Sequence, residues 1–395
     1  MLALSIARMV DALGNSILFI VIPIYVAKLP DSLFHVPVPL QVGILVSLYG
    51  ITTSLLQPLT GAWSDHLGKR KLFIQLGLFT AAVATFSFVF AVRFFDLIFL
   101  RISQGIGMAM TIPTSMAIMT GITQQQTRGG SMGIYTTMRL IGFSIGPPLG
   151  GFLKVHFGFN ATFYAGAGFL LLAMLLIHFW VQDVAPKNST KRPFRIIEKG
   201  LFHPGILSAA AATFIMAGSF SMVITLENEF NNRLATTAFG FGIAFSALMI
   251  GRLLFQAPLG RLSDRIGRKP IILAGLILMA PATILLGEST SLLMLGLLRV
   301  FQGLAAACIA APAFAVVADL SKAGGEGRQM SIITVGFTFG LALGPLIAGV
   351  LAIAFFELPF LTGGALALIG VWIVATYMPE TLENAEHTIF HRRKK

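Results

Sequence analysis

Hydrophobic positions in this chain do not alternate with polar ones; they come in continuous runs separated by short charged segments. Twelve runs of about 20 residues or more can be marked: 2–29, 40–63, 72–92, 97–119, 131–153 and 159–181, then 205–227, 237–259, 270–287, 290–318, 329–352 and 358–378. A run of that length crosses a hydrocarbon core of roughly 30 Å as a helix, whereas a membrane barrel needs shorter segments with a two-residue alternation. Many of the runs contain Gly or Pro, which helices in a bilayer tolerate because neighbouring groups satisfy the freed backbone. The pattern predicts an all-α integral membrane protein with twelve transmembrane helices.

Composition agrees and sets the charge problem. Only 11% of the 395 residues are charged, against about 25% in a soluble domain, and the mean hydropathy is +0.84. The net charge of +12 has a topological origin. Nineteen Lys and Arg fall in the segments that lie on one side if the first connection faces out, and Lys28, Arg93, Lys154 and Arg233 are the four on the other. The excess of basic residues on the inner side places both termini in the cytoplasm. Anionic lipid head groups are then the counter-charge of the basic segments, and no nucleic acid is required. The single cysteine, Cys308, excludes an internal disulfide and reads as an inert core thiol. The first run is too long for a cleaved signal peptide.

The chain repeats itself. "GAWSDHLGKRK" at 61–71 returns as "GRLSDRIGRKP" at 260–270, Arg101 and Gln104 return as Arg299 and Gln302, and Pro147 returns as Pro345, all at offsets of 198 or 199. This predicts two six-helix halves, 1–183 and 204–380, joined by a basic linker at 184–203 and followed by a basic tail at 381–395. The sequon Asn188-Ser189-Thr190 falls in the linker, on the side where it is not glycosylated.

Twelve spans in two halves, the repeated loop, "LRISQGIGMA" in the fourth span and "GFSIGPPLGG" in the fifth resemble the major facilitator superfamily over essentially the whole chain, and most closely its twelve-span drug:proton antiporters. The resemblance implies a secondary active transporter, not an enzyme, without cofactor, working as a monomer in a bacterial cytoplasmic membrane on a small-molecule substrate and protons. It also assigns the loop residues Gly61, Asp65, Gly68, Lys69 and Arg70, with Gly260, Asp264, Arg265, Gly267, Arg268 and Asp319, to a gating latch. In that latch Gly61 and Gly260 let backbones approach closely, and the aspartates accept hydrogen bonds from a facing helix across the seam between halves. The first copy departs from the family pattern: His66 stands where a basic residue follows the aspartate, and Thr120-Gly121 stand where an acid is usual. Its latch is therefore expected to be weaker than the second, or pH-sensitive through His66. Gly142, Gly146, Pro147, Gly150 and Gly151 form a small-residue face resembling the antiporter motif that seals against leak; ordinary close packing is the alternative.

Charges buried in a bilayer are functional candidates because each is costly unless paired or hydrated. Of sixteen acids, Asp11 is the one deep in a predicted span, with Glu227 at the outer end of the seventh. Asp11 is the leading candidate for the proton carrier and Glu227 the second. Depth along the helix favours Arg139 as the partner of Asp11, while Arg8, one turn away, offers a local static pair. Arg101 matches the family's cavity arginine in the fourth span. A substrate cavity is expected from Asn15, Gln104, Met108, Thr111, Phe214, Phe220, Arg299 and Gln302, with further Met residues. Such soft and aromatic linings suit varied amphipathic molecules, so efflux of lipophilic compounds is the reading. A lipid or lysolipid carrier, a polar-metabolite carrier, or a non-transporting membrane sensor remain alternatives.

Other chemistries find no support. "GIGMAM" near 105 lies within a span with no strand before it, no Walker lysine motif occurs, and no histidine is spaced with acids as a metal site.

Overall fold

The computed structural model describes residues 1–29, 36–123, 128–183, 203–320 and 326–382. Nearly all of the linker and of the tail lie outside the described residues, so only His203, Thr381 and Leu382 of those segments enter the structure.

Among the described residues eleven helices are long and apolar enough to cross a membrane. One of them, Arg128–Trp180, breaks at Gly158, where φ is +84°. A side chain resists that backbone conformation, so the glycine divides the helix into two spans and the count becomes twelve. The spans are α1 (Leu2–Val26), α2 (Val38–Leu67), α3 (Arg70–Ser87), α4 (Phe94–Ile122), α5 (128–157), α6 (159–180), α7 (Pro204–Thr225), α8 (Ala238–Ile266), α9 (Arg268–Gly287), α10 (Leu292–Leu320), α11 (Glu326–Leu351) and α12 (Leu358–Tyr377). A seven-residue helix, Glu227–Arg233, connects α7 to α8.

The boundaries have local causes. Pro sits in the first turn of α2, α7 and α12, where its missing N–H costs nothing. Gly68 ends α2 in the left-handed conformation (φ +63°), and Gly267 ends α8 at φ +112°. Past these glycines an acid from the far end of each half caps the next helix. Asp183 accepts from the Lys71 amide (3.2 Å), while Glu380 accepts from the amides of Arg268 (3.0 Å) and Lys269 (3.1 Å). Lys71 and Lys269 reach the last turns of α6 and α12, donating to the carbonyls of His178 and Ala375, each at 2.7 Å.

Packing repeats as the sequence does. In the first group α1 packs on α5, α2 and α3 on α4, and α6 approaches α1 and α3 through Gly166. In the second, α7 packs on α11, α8 and α9 on α10, and α12 on α7 and α9. Among the described residues the two most extensive contacts between the groups are α2 with α11 and α5 with α8. Each group has its own buried apolar cluster, and a third cluster gathers Val26, Val42, Phe163, Phe230, Phe241 and Phe360 from both groups. That shared cluster lies at the end away from the repeated loops.

Glycines measure how the seam runs. Gly43 of α2 is so close to α11 that a Cβ there would come within 2.6 Å of the Pro345 carbonyl, and Gly242 of α8 is equally close to Pro147 of α5 (2.7 Å). Eighteen residues, or five turns, along the same helices stand Gly61 and Gly260 on the same faces. Among the described residues they meet only their own group: Pro113 of α4 at 3.5 Å and Ala311 of α10 at 3.8 Å. On α5, Gly151 abuts Ala238 of α8, while Gly133, five turns away on that face, has nothing within 4 Å. Among the described residues the two groups are therefore closed against each other at one end, and these helix faces make no contact across the seam at the end with the repeated loops.

Candidate functional site

Arg8, Asp11 and Asn15 share one face of α1 by their spacing of three and four residues. All three are buried. Arg8 donates to Asp11 Oδ2, and Asn15 Nδ2 donates to Oδ1 at 2.7 Å while lying 3.3 Å from Met108 Sδ of α4. Asp11 is thus paired with Arg8, the local alternative, and not with Arg139, which helix depth favours. The i,i+3 geometry closes the pair within one helix and needs no rotation of α5.

Arg139 instead lies over the Phe143 ring on its own helix, 5.2 Å from the centroid. It remains within electrostatic reach of Arg8, Asp11 and, from the other group, Arg252. Arg252 Nε donates to Gln256 on α8 at 3.1 Å.

The motifs of α4 and α10 form matching buried relays. Arg101 donates to Gln104 Oε1 (3.1 Å), and Gln104 Nε2 donates to Thr85 Oγ1 of α3 (2.8 Å). Arg299 donates to Gln302 (2.8 Å), which donates to Thr283 of α9 (3.0 Å). Gln104 and Gln302 are therefore spent holding an arginine to the next helix. The arginine surroundings differ: Arg101 lies 5.6 Å from the Tyr49 ring, and Arg299 sits over Phe220 (5.4 Å) and Phe245 (4.7 Å). Nε and Nη2 of Arg299 are buried without a hydrogen-bond partner.

Other expected cavity residues divide. Phe220 joins the arginine site, whereas Phe214 packs against the core of the second group. Thr111 does not serve a cavity: its hydroxyl donates to the Gly107 carbonyl (2.9 Å) and its side chain covers Gly77 of α3, a position fixed by close α3–α4 packing.

Gly142, Gly146 and Gly150 meet the α1 backbone and Ser16, and Gly151 meets α8, so this face is a packing surface. Pro147 presents its carbonyl to Gly242 of α8. The arrangement recurs in the second group, where Gly336, Gly340 and Gly344 abut α7. Ser16 and Ser221 donate across each contact to the carbonyls of Gly142 and Gly340, both at 3.3 Å.

At the loop end, the expected reach of Asp65 and Asp264 across the seam is not what the described residues show. Asp65 accepts from Arg70 Nη2 (2.6 Å) within its own loop, and Asp264 pairs with Arg268; the two carboxylates are 54% and 58% exposed. Among the described residues Gly61 and Gly260 likewise make no close approach across the seam. The second loop is the richer, since Arg268 Nε also lies 3.4 Å from Asp319. Arg70 finds no acid on α4 and reaches the Ala117 carbonyl at 3.4 Å. Lys69, His66 and Arg265 are exposed.

Glu227 lies just past α7, in the connecting helix, with no exposed surface. Asn231 stands one turn on in the same helix, and neither carboxyl oxygen receives a hydrogen bond of normal geometry. Burial pushes this carboxyl well above the usual carboxylate range.

Sequence reasoning missed Thr85, Thr283, Asp183, Glu380 and Tyr49. The offset of 198 between Thr85 and Thr283 was a readable signal; the caps differ in identity, Asp against Glu, and gave none.

Two linked helical groups, each with a buried Arg–Gln–Thr relay and a charged hairpin loop at the same end, define a membrane transporter built by duplication. The family model for the Major Facilitator Superfamily matches residues 4–238 and 206–394, and the chain belongs to that superfamily. Among its relatives, the uncharacterized MFS-type transporter YuxJ of Bacillus subtilis is 28% identical over 318 residues, covering 77% of this chain and 80% of the relative. The multi-drug resistance efflux pump PmrA of Streptococcus pneumoniae is 24% identical over 347 residues, covering 86% of each. Among solved structures, an inward-facing bacterial homologue of the human lysosomal transporter Spinster superposes with a TM-score of 0.77 over 95% of both chains, at 17% identity.

Proposed function

We propose that this transporter is a proton-coupled exporter of small lipophilic or amphipathic molecules that works by alternating access, with both termini and the repeated loops on the cytoplasmic side. The seam supports the mechanism. It is shut at one end and parted at the other, the geometry of a carrier whose halves rock about a central site. In this orientation the contacts of the described residues support an inward-facing state, and in this reading the engaged latch belongs to the opposite state, in which Asp65 and Asp264 meet the facing helix ends.

The observation that carries the proton coupling is the buried cluster of Asp11, Arg8 and Asn15. A carboxylate held by a guanidinium in a low-dielectric interior is stable only while the pair is intact. Protonation of Asp11 releases Arg8, and the two states of the pair are the two states a coupled carrier requires. Glu227, buried beside the closed end, is the second proton site. Resemblance to PmrA and the Met and Phe side chains near Asn15 and Arg299 support an amphipathic substrate.

The test is flux of fluorescent amphiphiles in proteoliposomes under an imposed pH gradient, native protein against Asp11→Asn. The reading predicts gradient-dependent flux that the variant abolishes. Gradient-dependent flux unchanged in the variant moves the proton site to Glu227, and flux indifferent to the gradient removes proton coupling.

A further inference from the structure

The charge inventory of the membrane interior is lopsided. Away from the ends of the spans lie five arginines, Arg8, Arg101, Arg139, Arg252 and Arg299, and one acid, Asp11; the other charged residues of the spans are near their ends. Arg8 and Asn15 already occupy that carboxylate. Four guanidiniums therefore have no carboxylate partner among the described residues. A buried cation without a counter-ion is costly, and a cationic substrate entering between the halves would add to the imbalance.

Two of the four lie on opposite sides of the seam. Arg139 belongs to α5 and Arg252 to α8, and they stand just on the open side of the point where Leu140 and Phe143 meet Leu248 and Met249. Both are partly exposed, and Arg139 lies within electrostatic reach of Arg252. Like charges on opposite halves repel, and an anion between them would relieve that repulsion. Beyond them an aromatic run crosses the seam: Phe143 stacks on Phe19 (5.7 Å), and Phe19 meets Phe245 (6.3 Å). It ends on Arg299, which has no exposed surface and keeps two N–H groups unpartnered.

We propose that the carried molecule is an amphiphile with an anionic head group, which Arg139 and Arg252 grip from opposite halves while its apolar body lies on the Phe143–Phe19–Phe245 run. The inference rests on the carrier reading above and names its substrate class. A carboxylate, sulfonate or phosphate fits because a planar guanidinium donates two parallel hydrogen bonds to such a group. Bridging turns the repulsion between halves into attraction, so the substrate itself favours closure of the parted end.

The experiment is equilibrium binding in a nonionic detergent, with a fluorescent carboxylate dye, its neutral methyl ester and a cationic amine analogue of the same ring system. Native protein is compared with Arg139→Gln, Arg252→Gln and Arg252→Lys. The anion is expected to bind at least about tenfold tighter than the cation. Each Gln variant is expected to weaken it by about tenfold or more, as loss of a charge-assisted bond implies, and Arg252→Lys, which keeps the charge but loses the fork, to fall between native and Arg252→Gln. Equal binding of the cation, or anion binding untouched in both Gln variants, overturns the proposal. Adding phosphatidylglycerol separates the sources: displacement of the dye assigns the site to lipid head groups and persistence assigns it to soluble anions, and both keep an anion site. Anion binding without gradient-driven flux keeps the site and removes the proton-coupled carrier, while flux of cations without anion preference does the reverse.

Discussion

Gly43 and Gly61 lie five turns apart on one face of α2, and among the described residues only Gly43 touches the other half of the molecule. A Cβ on Gly43 would come within 2.6 Å of the Pro345 carbonyl, while Gly61 has only Pro113 of its own half nearby. The second copy behaves alike in α8, where Gly242 abuts α5 and Gly260 does not. A seam that is tight at one level and slack five turns away is a hinge in place, and the predictions follow its consequences.

Packing along α1 and α5 depends on missing side chains. Gly142→Ala places a methyl against the Met9 carbonyl and Ala12, and overpacking of this kind costs about 1–3 kcal/mol. Gly133→Ala enters open space on the same helix and gains helix propensity of about 0.5–1 kcal/mol. Thermal unfolding in detergent should fall for the first variant and hold or rise for the second.

The Arg8–Asp11 pair should be asymmetric to break. Asp11→Asn leaves Arg8 buried without its counter-charge, a loss of about 3–5 kcal/mol by analogy with buried pairs elsewhere. Adding Arg8→Met removes the orphan charge and should recover most of the melting temperature. Gradient-driven flux should stay lost in both, which separates coupling from stability.

The two Arg–Gln–Thr relays should respond in parallel. Gln104→Leu strips Arg101 of its acceptor and Thr85 of its donor, and Gln302→Leu does the same to Arg299 and Thr283. Each should cost about 1–3 kcal/mol, the penalty of leaving buried polar groups unpaired, measurable as a lowered unfolding midpoint.

Much of this was readable in the chain. Continuous apolar runs gave the spans, and the 198-residue offset announced that whatever Arg101 and Gln104 do, Arg299 and Gln302 do again. What the chain could not supply was rotation and state. Thr111 looked like a cavity residue until α3 was seen packed over it, and depth alone favoured Arg139 for Asp11 because sequence does not say which way α5 faces. The loop motif is written identically whether its end is shut or parted, and the first turns of α5 and α11, where the contact expected of Asp65 and Asp264 falls, have side chains outside the described residues.

Glu227 should make this state sensitive to pH. Its carboxyl is raised by burial, so the folded state holds the proton more tightly than the unfolded chain does. That contribution is fully present below the ordinary carboxylate range and is lost as pH rises through the raised value. The unfolding temperature of the native protein should therefore fall, as pH rises above the ordinary carboxylate range, by more than that of Glu227→Gln. Parallel pH profiles for the two would mean that Glu227 is not the group involved.

The rocking of the two halves is tested most directly at Gly50 and Ala342. A Cβ on Gly50 would stand 2.8 Å from the Ala342 Cβ across the α2–α11 contact, close enough for a disulfide after a shift of about 1 Å. In a background with Cys308→Ala, Gly50→Cys with Ala342→Cys is oxidised and reconstituted, and flux is followed before and after reduction. The account predicts that the cross-link holds the closed end shut and stops transport, and that reduction restores it. Full turnover with the disulfide intact would contradict alternating access through this seam.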